Sequence, residues 1–274
     1  MSATVIINGG TQGGAGATCN VNTLSNGGTA RFEIFGNGSL VLANVAGAVG
    51  SIEGDGSVTC TEGTFSVGTN NLSTLFSGTI TGGLLEKVGT GTLTLTGANT
   101  YPRGTTVFAG TLAIENKTGS GRGVVTVNGG TLGGSGIISR AVTVGTGSGG
   151  GAFLAPVHGG KKQLTLTIQG SVTFNADATY SYTFKAKGRK SKIDKVIANG
   201  VTINSGAKVN LSGSTQGQLI QGTALTLIKN TAATPIAGSF SNLPDVGIVN
   251  VNGNNLQASY AGGDGNDLTP TVVP

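Results

Sequence analysis

A short strand motif returns along this chain at a nearly constant step. Gly91-Thr92-Leu93 recurs as Gly110-Thr111-Leu112 and again as Gly130-Thr131-Leu132, at intervals of 19 and 20 residues. From Thr92 to Thr96 the chain alternates Thr and Leu, the period-two pattern of a strand with one buried face. A unit that small cannot bury its apolar face alone. It is stabilised only by stacking on copies of itself, which is the logic of a solenoid. The expected fold class is therefore all-β, with about 20 residues per coil.

Composition agrees with that reading. Glycine supplies 51 of 274 residues, well over twice the usual share of about 7%, and no Gly-X-Y period marks collagen. Thr, Val, Ile, Asn and Gly are strand and turn formers. Asn8-Gly9 and Asn37-Gly38 tolerate positive φ and can bend the chain sharply. Expected strands include Thr4–Ile7, Ala30–Phe35, Ser39–Ala43, Ser57–Cys60, Thr64–Val67 and Leu75–Ile80. Later ones are Leu164–Ile168, Val172–Phe174, Thr179–Phe184, Val196–Ile203, Lys208–Leu211 and Ala224–Ile228. Leu93, Leu95, Val107, Leu112, Ile114, Val125, Val127, Leu132, Ile138, Val142 and Val144 are expected to point inward. Residues 1–234 read as the coiled region. Residues 235–274 carry Pro235, Pro244, Pro270 and Pro274 and read as a C-terminal cap or a final irregular coil.

The stretch from Gly82 to Leu112 carries a resemblance. Gly82-Gly83-Leu84 with Lys87, then Gly89-Thr90-Gly91-Thr92-Leu93-Thr94-Leu95-Thr96-Gly97, Asn99-Thr100-Tyr101, and Gly104-Thr105-Thr106 through Gly110-Thr111-Leu112 resemble the autotransporter-associated β-strand repeat of bacterial passenger domains. Pro102-Arg103 departs from the small pair usual after the tyrosine. The resemblance implies a right-handed parallel β-helix, secreted and displayed outside the cell. Family members carry a signal peptide and a C-terminal membrane barrel, and neither is visible in this sequence. Three readings stay open: an excised passenger, a secreted relative without a barrel, and a subunit that assembles by itself.

Candidate chemistry is sparse. Glu53 and Asp55 are two residues apart, as paired glycosidase carboxylates could be, but Gly54 and Gly56 favour a turn. His158 is the single histidine and lies in a loop-like stretch with no marked triad partner. Gly262-Gly263-Asp264-Gly265-Asn266-Asp267 fits the opening of a calcium-binding nonapeptide, which makes Asp264 and Asp267 calcium candidates. It is a single copy, so a tight turn is favoured, and no metal or cofactor is expected. Lys185, Lys187, Arg189, Lys190, Lys192 and Lys195 form the densest charge, opposed only by Asp194. They are the polyanion-binding candidate, weighed against a solvated insertion that blocks edge pairing. Cys19 and Cys60 stand 41 residues apart, about two coils. On one corner their Cα atoms would lie roughly 9.6 Å apart, beyond disulfide reach, unless the register is displaced. Free thiols, a Cys19–Cys60 disulfide and a bond between subunits stay open, with the disulfide favoured in an exported protein.

The expected function is a non-catalytic, extracellular structural or adhesive β-solenoid, surface-displayed or stacked end to end into filaments by strand addition. Expected partners are further copies, through the solenoid ends or the terminal strand, or a surface glycan. The alternatives are a polysaccharide-active β-helix enzyme and a polyanion-binding module. A net charge of +5 with no Trp and four Tyr gives no footprint of specific nucleic-acid binding. Gly, Asn and Ser interrupt every long uncharged run, so no stretch inserts into a membrane as a helix.

Overall fold

The computed structural model describes residues 3–9, 16–21, 28–43, 47–156, 164–187, 190–215 and 218–274, with backbone only at 186–187 and 190–192. The described residues form strands, turns and bends, with no helix. The chain divides into two compact units. One holds Met1–Leu132 and Gly136–Arg140, the other Gly133–Ser135 and Ala141–Pro274.

In the first unit the coils contribute short strands to three parallel ladders. The first ladder stacks Thr4–Asn8, Arg31–Phe35, Ser51–Gly54, Thr74–Phe76, Thr92–Leu95 and Thr111–Ile114. The second stacks Thr18–Val21, Ser39–Leu42, Ser57–Cys60 and Thr79–Thr81. The third stacks Gly47–Val49, Thr64–Val67, Leu84–Lys87, Thr105–Val107 and Val125–Val127. This is a parallel β-helix. The repeat step read from sequence is the register itself, since Thr92 pairs with Thr111 and Thr105 with Val125. Leu75–Ile80, expected as one strand, is two strands on different ladders. Gly78 makes the corner between them, where a Cβ would run into the Gly56 carbonyl of the adjacent coil.

The side chains explain why the strands are so short. Thr64–Val67 and Ser57–Cys60 bury alternate positions, as a period-two strand with one core face must. Parallel register then aligns like residues in columns. One column runs Ile7, Ile34, Gly54, Phe76, Leu95, Ile114. Its apolar members are all buried. Each such side chain contributes about 1.5–3 kcal/mol, offset by ordering costs of about 1–2 kcal/mol per residue of backbone. The eleven positions read as inward are all buried.

One core position is not aliphatic. In the third ladder the column runs Val67, Lys87, Val107, Val127. Lys87 is only 1% exposed. Its stem occupies the place of a valine, and its Nζ donates to the carbonyls of Val88 (2.6 Å), Gly89 (2.9 Å) and Ala109 (3.2 Å). The ammonium thereby ties the corners of two successive coils. Burial pushes it down from 10.5 to about 8. Tyr101 is buried as well, and its oxygen accepts from Thr105 Oγ1 at 3.1 Å. Gly121, at φ +62°, lies against the Tyr101 ring where a Cβ would collide.

In the second unit the ladders stay parallel while the step lengthens. Val142 pairs with Val172 and Val172 with Val201, about 30 residues per coil. Thr165 pairs with Lys195, and Thr179 with Lys208. The added residues lie in connections and in two long strands, Ala178–Lys187 and Lys208–Thr215. The expected strand Val196–Ile203 divides at Gly200 (φ +104°) into Lys195–Ala198 and Val201–Ile203. The core here is aromatic. Phe174, Tyr180, Tyr182, Phe184 and Phe240 form a chain of ring contacts with centroids 5.2–6.3 Å apart. Tyr180 donates to the Leu227 carbonyl at 2.8 Å.

Residues 235–274 include an antiparallel sheet of Ile248–Val251, Asn254–Gln257 and Thr271–Val273, its first hairpin turning at Asn252-Gly253 with both φ positive. This segment fills the backbone edge of the last coil. Ala237 exchanges hydrogen bonds with Val201 and Ile203, and Leu268 with Leu227 and Ile228. The Asn242 amide both donates to and accepts from the Val209 backbone, at 2.7 and 2.9 Å, as a neighbouring peptide would.

Two outcomes follow from this packing. Leu95→Ala, at the centre of a column, costs about 2–5 kcal/mol in chemical denaturation, whereas Leu75→Ala, half exposed on the same ladder, changes stability by less than about 0.5 kcal/mol. Stability also depends on alkaline pH with two opposite slopes. Lys87 titrates near 10.5 when unfolded and near 8 when folded, so between those values the unfolded chain binds more protons and stability rises with pH. Buried Tyr101 and Tyr260 are both pushed up to about 12, so above their ordinary value of 10 the unfolded chain loses phenol protons first and stability falls. Denaturation midpoints therefore peak at about pH 9–10. Lys87→Met removes the rising limb and keeps the falling one. It also costs about 1–3 kcal/mol at neutral pH, because carbonyls lose their donor.

Candidate functional surface

The carboxylates read as a catalytic pair are each committed to the neighbouring coil. Glu53 accepts from the Arg31 guanidinium, which also reaches Glu33 Oε1 at 3.2 Å. Register stacks Glu33 directly on Glu53, so Arg31 is what holds these two like charges together. Its hydrogen bond to Glu53 raises the guanidinium above its already high range. Asp55 Oδ1 accepts the Gly36 N–H at 2.7 Å and closes a corner. Neither acid faces the other across a groove. His158 lies outside the described residues.

The glycine-rich segment near the C-terminus is a closed turn. Gly262 and Asp267 exchange backbone hydrogen bonds at 3.0 and 3.1 Å. Asp267 is buried, which raises its carboxyl, and its Oδ1 accepts the Asn230 N–H at 2.9 Å. Asp264 is exposed. Among the described residues no three His, Cys, Asp or Glu side chains converge as a metal site.

The favoured Cys19–Cys60 disulfide is not formed, and both thiols are free. The physical reason is register. Cys19 stacks on Leu40 and Leu40 on Val58, whereas Cys60 stacks on Leu42. The two cysteines are thus two rungs apart and also two residues out of line. At about 4.8 Å per rung no disulfide spans that gap. Cys60 donates instead to the Glu62 carbonyl at 3.5 Å, and burial pushes its thiol up.

The basic cluster is divided by the fold. Ala178–Lys187 and Lys190–Ile193 form an antiparallel ribbon in which Lys185 stands opposite Lys192 and Lys187 opposite Lys190. On its other side Lys185 stands opposite Ser214 of the parallel strand Lys208–Thr215. Lys195 opens a strand in a different ladder, paired with Thr165. Arg189 lies outside the described residues. Asp194, directly after the ribbon, is buried and engaged, accepting from the Leu164 N–H at 2.8 Å and from the Thr183 hydroxyl. Burial, and after it the charge of Asp194, raises Tyr182, whose hydroxyl has no hydrogen-bond partner among the described residues.

Two features escaped the sequence reading. Lys87 sits two residues after Leu85 in an alternating strand, so strict period-two reading would have placed it inward. Asp194 reads as the solitary counter-charge of a basic loop, and nothing local marks it as a buried acceptor for two chain segments.

Comparison with known proteins agrees with this architecture. Residues 85–114 match the model of the passenger-associated-transport-repeat family. The chain is similar to an adhesin, the BmaC autotransporter of Brucella suis biovar 1 (strain 1330), with 45% identity over 93 residues, 31% of this chain and 3% of that protein. It is also similar to an extracellular serine protease of Serratia marcescens, with 31% identity over 164 residues, 58% of this chain and 14% of that protein. The chain therefore spans a small part of the length of either curated relative. The stacked ladders and these likenesses place a passenger-associated-transport repeat at residues 85–114 within a parallel β-helix.

Proposed function

We propose that this chain is a non-catalytic, adhesive segment of an extracellular passenger, working as a stiff scaffold that presents its coil faces and loops. The observation that carries this reading is the commitment of its reactive groups to the coils. Lys87 ties two corners, Glu53 is paired with Arg31, and Asp55, Asp194 and Asp267 accept backbone N–H groups. Similarity to an adhesin supports the adhesive role, and similarity to an autotransporter and to an extracellular protease supports the location. The likeness to a serine protease covers 14% of that protein, and a β-helical scaffold is a part that an enzyme and an adhesin can share.

Adhesion ranks ahead of end-to-end filaments on a structural ground. Strand addition needs open backbone edges on both partners. The last coil's edge is filled by Ala237, Asn242 and Leu268.

Beads coated with the purified chain test the proposal. They are expected to adhere to epithelial cells or extracellular matrix well above albumin-coated beads, with no turnover of peptide or glycan substrates. Beads no more adherent than albumin, together with hydrolysis of either substrate class, overturn it. Negative-stain microscopy of the same preparation is expected to show single particles rather than fibres.

A further inference from the structure

The arginines of this chain are not scattered. Arg31 is held by Glu33 and Glu53, and Arg189 lies outside the described residues. The remaining three, Arg103, Arg122 and Arg140, meet on one corner of three successive coils. Arg103 stands two residues before the strand Thr105–Val107 and Arg122 three before Val125–Val127. Thr105 pairs with Val125, so Arg103 is level with Gly123 and one residue out of line with Arg122. Gly123 permits the close approach, since a Cβ there would lie 2.7 Å from the Arg103 carbonyl carbon. The Arg122 N–H donates to the Tyr101 carbonyl at 2.9 Å, joining the same two coils. On the next coil Ser120 bridges to Ile138, and Arg140 Nε donates back to the Arg122 carbonyl at 3.1 Å. At about 4.8 Å per coil, the three positions form a line roughly 10 Å long.

The described residues do not neutralise this line. All three side chains are exposed, and among the described residues no carboxylate forms an ion pair with any of them. Between Gly97 and Arg140 the single acid is Glu115, which follows a strand of the first ladder. Glu62 stands on the same corner, but Gly82-Gly83 occupy the coil between it and Arg103. Arg140 commits one of its five donors to Arg122, which orients the guanidinium and leaves its terminal nitrogens for a ligand.

The geometry narrows that ligand. A guanidinium grips an oxyanion through two parallel N–H donors. Three of them in line on an exposed corner match a linear polyanion charged on successive units, whereas a lipid surface would meet the corner along one edge. The exposed apolar neighbours are Pro102 and Val124. Neither is aromatic, so bases find no stacking platform there. We infer that the corner at Arg103, Arg122 and Arg140 is a binding site for an acidic polysaccharide, whose sulfate or carboxylate groups the three guanidinium forks receive. The inference rests on the adhesive reading for its choice of a glycan, and deepens it by naming the ligand class.

Binding of the purified chain to immobilised heparin, with neutral dextran as control, tests it. Retention is expected to weaken steeply with salt. The variant R103Q/R122Q/R140Q is expected to bind at least about tenfold more weakly. R103Q/R122Q, whose replaced side chains make no hydrogen bond to the described residues, is expected to weaken binding in the same direction. K117Q/K208Q/K229Q removes the same charge elsewhere and is expected to bind as the parent does. Circular dichroism and the melting temperature establish that each variant is folded. Unchanged heparin binding in the folded arginine variants overturns the site, and so does an equal loss in the lysine control. Preferential binding of the parent chain to phosphatidylserine-containing vesicles or duplex DNA over heparin overturns the ligand class. Bead adhesion separates this inference from the adhesive reading. Parent beads that bind heparin through the arginines without adhering to cells sink the adhesive reading alone, whereas beads that adhere without binding heparin sink the site alone.

Discussion

Parallel stacking of short strands is the constraint from which the other features follow. A three- to five-residue strand has too little apolar surface to hold itself folded, so each rung is stable only between two others. Parallel pairing in step makes the side chains of successive rungs coincide, and an error of one residue would turn an entire column outward. The columns through Leu95 and Val107 are the result. The same arithmetic explains the glycines at corners, where one coil's backbone lies against the next and leaves no room for a Cβ.

Polar groups in this fold are spent on the corners. A coil that turns three times leaves peptide groups that no strand can pair, and buried backbone groups need partners. Lys87 supplies donors to three carbonyls, Asn99 accepts from Ile80 at 2.8 Å, and Asn204 donates to Asn175 at 2.9 Å from one coil to another. Asn242 does the same at the last rung, where a side-chain amide takes the place of the next strand. These contacts tie each coil to its neighbour through side chains as well as through the ladders.

Much of the core was legible because period-two alternation is local. Leu93, Leu95 and Val107 needed no tertiary information to be placed inward. The corner inside residues 75–80 was not legible, since Ser77-Gly78 turns only because the Asp55-Gly56 corner lies beside it. The cysteines were misjudged for a related reason. Their separation of about two coils was correct, but the two-residue offset depends on coils whose steps differ, with Thr18 pairing with Ser39 and Ser39 with Ser57. Of the basic cluster, composition revealed the charge and nothing of its arrangement.

The sequence by itself determined the repeat, the strand content and the apolar columns, because each depends on spacing within one coil or between identical coils. Only the tertiary structure decided the longer coils of the second unit, the filling of the last edge and the facing of lysine on lysine. Those depend on which backbone lies beside which, a matter of register between segments distant in sequence. Chain alternation states which face a residue takes, whereas the neighbour it meets there is set by hydrogen bonds the local sequence does not encode.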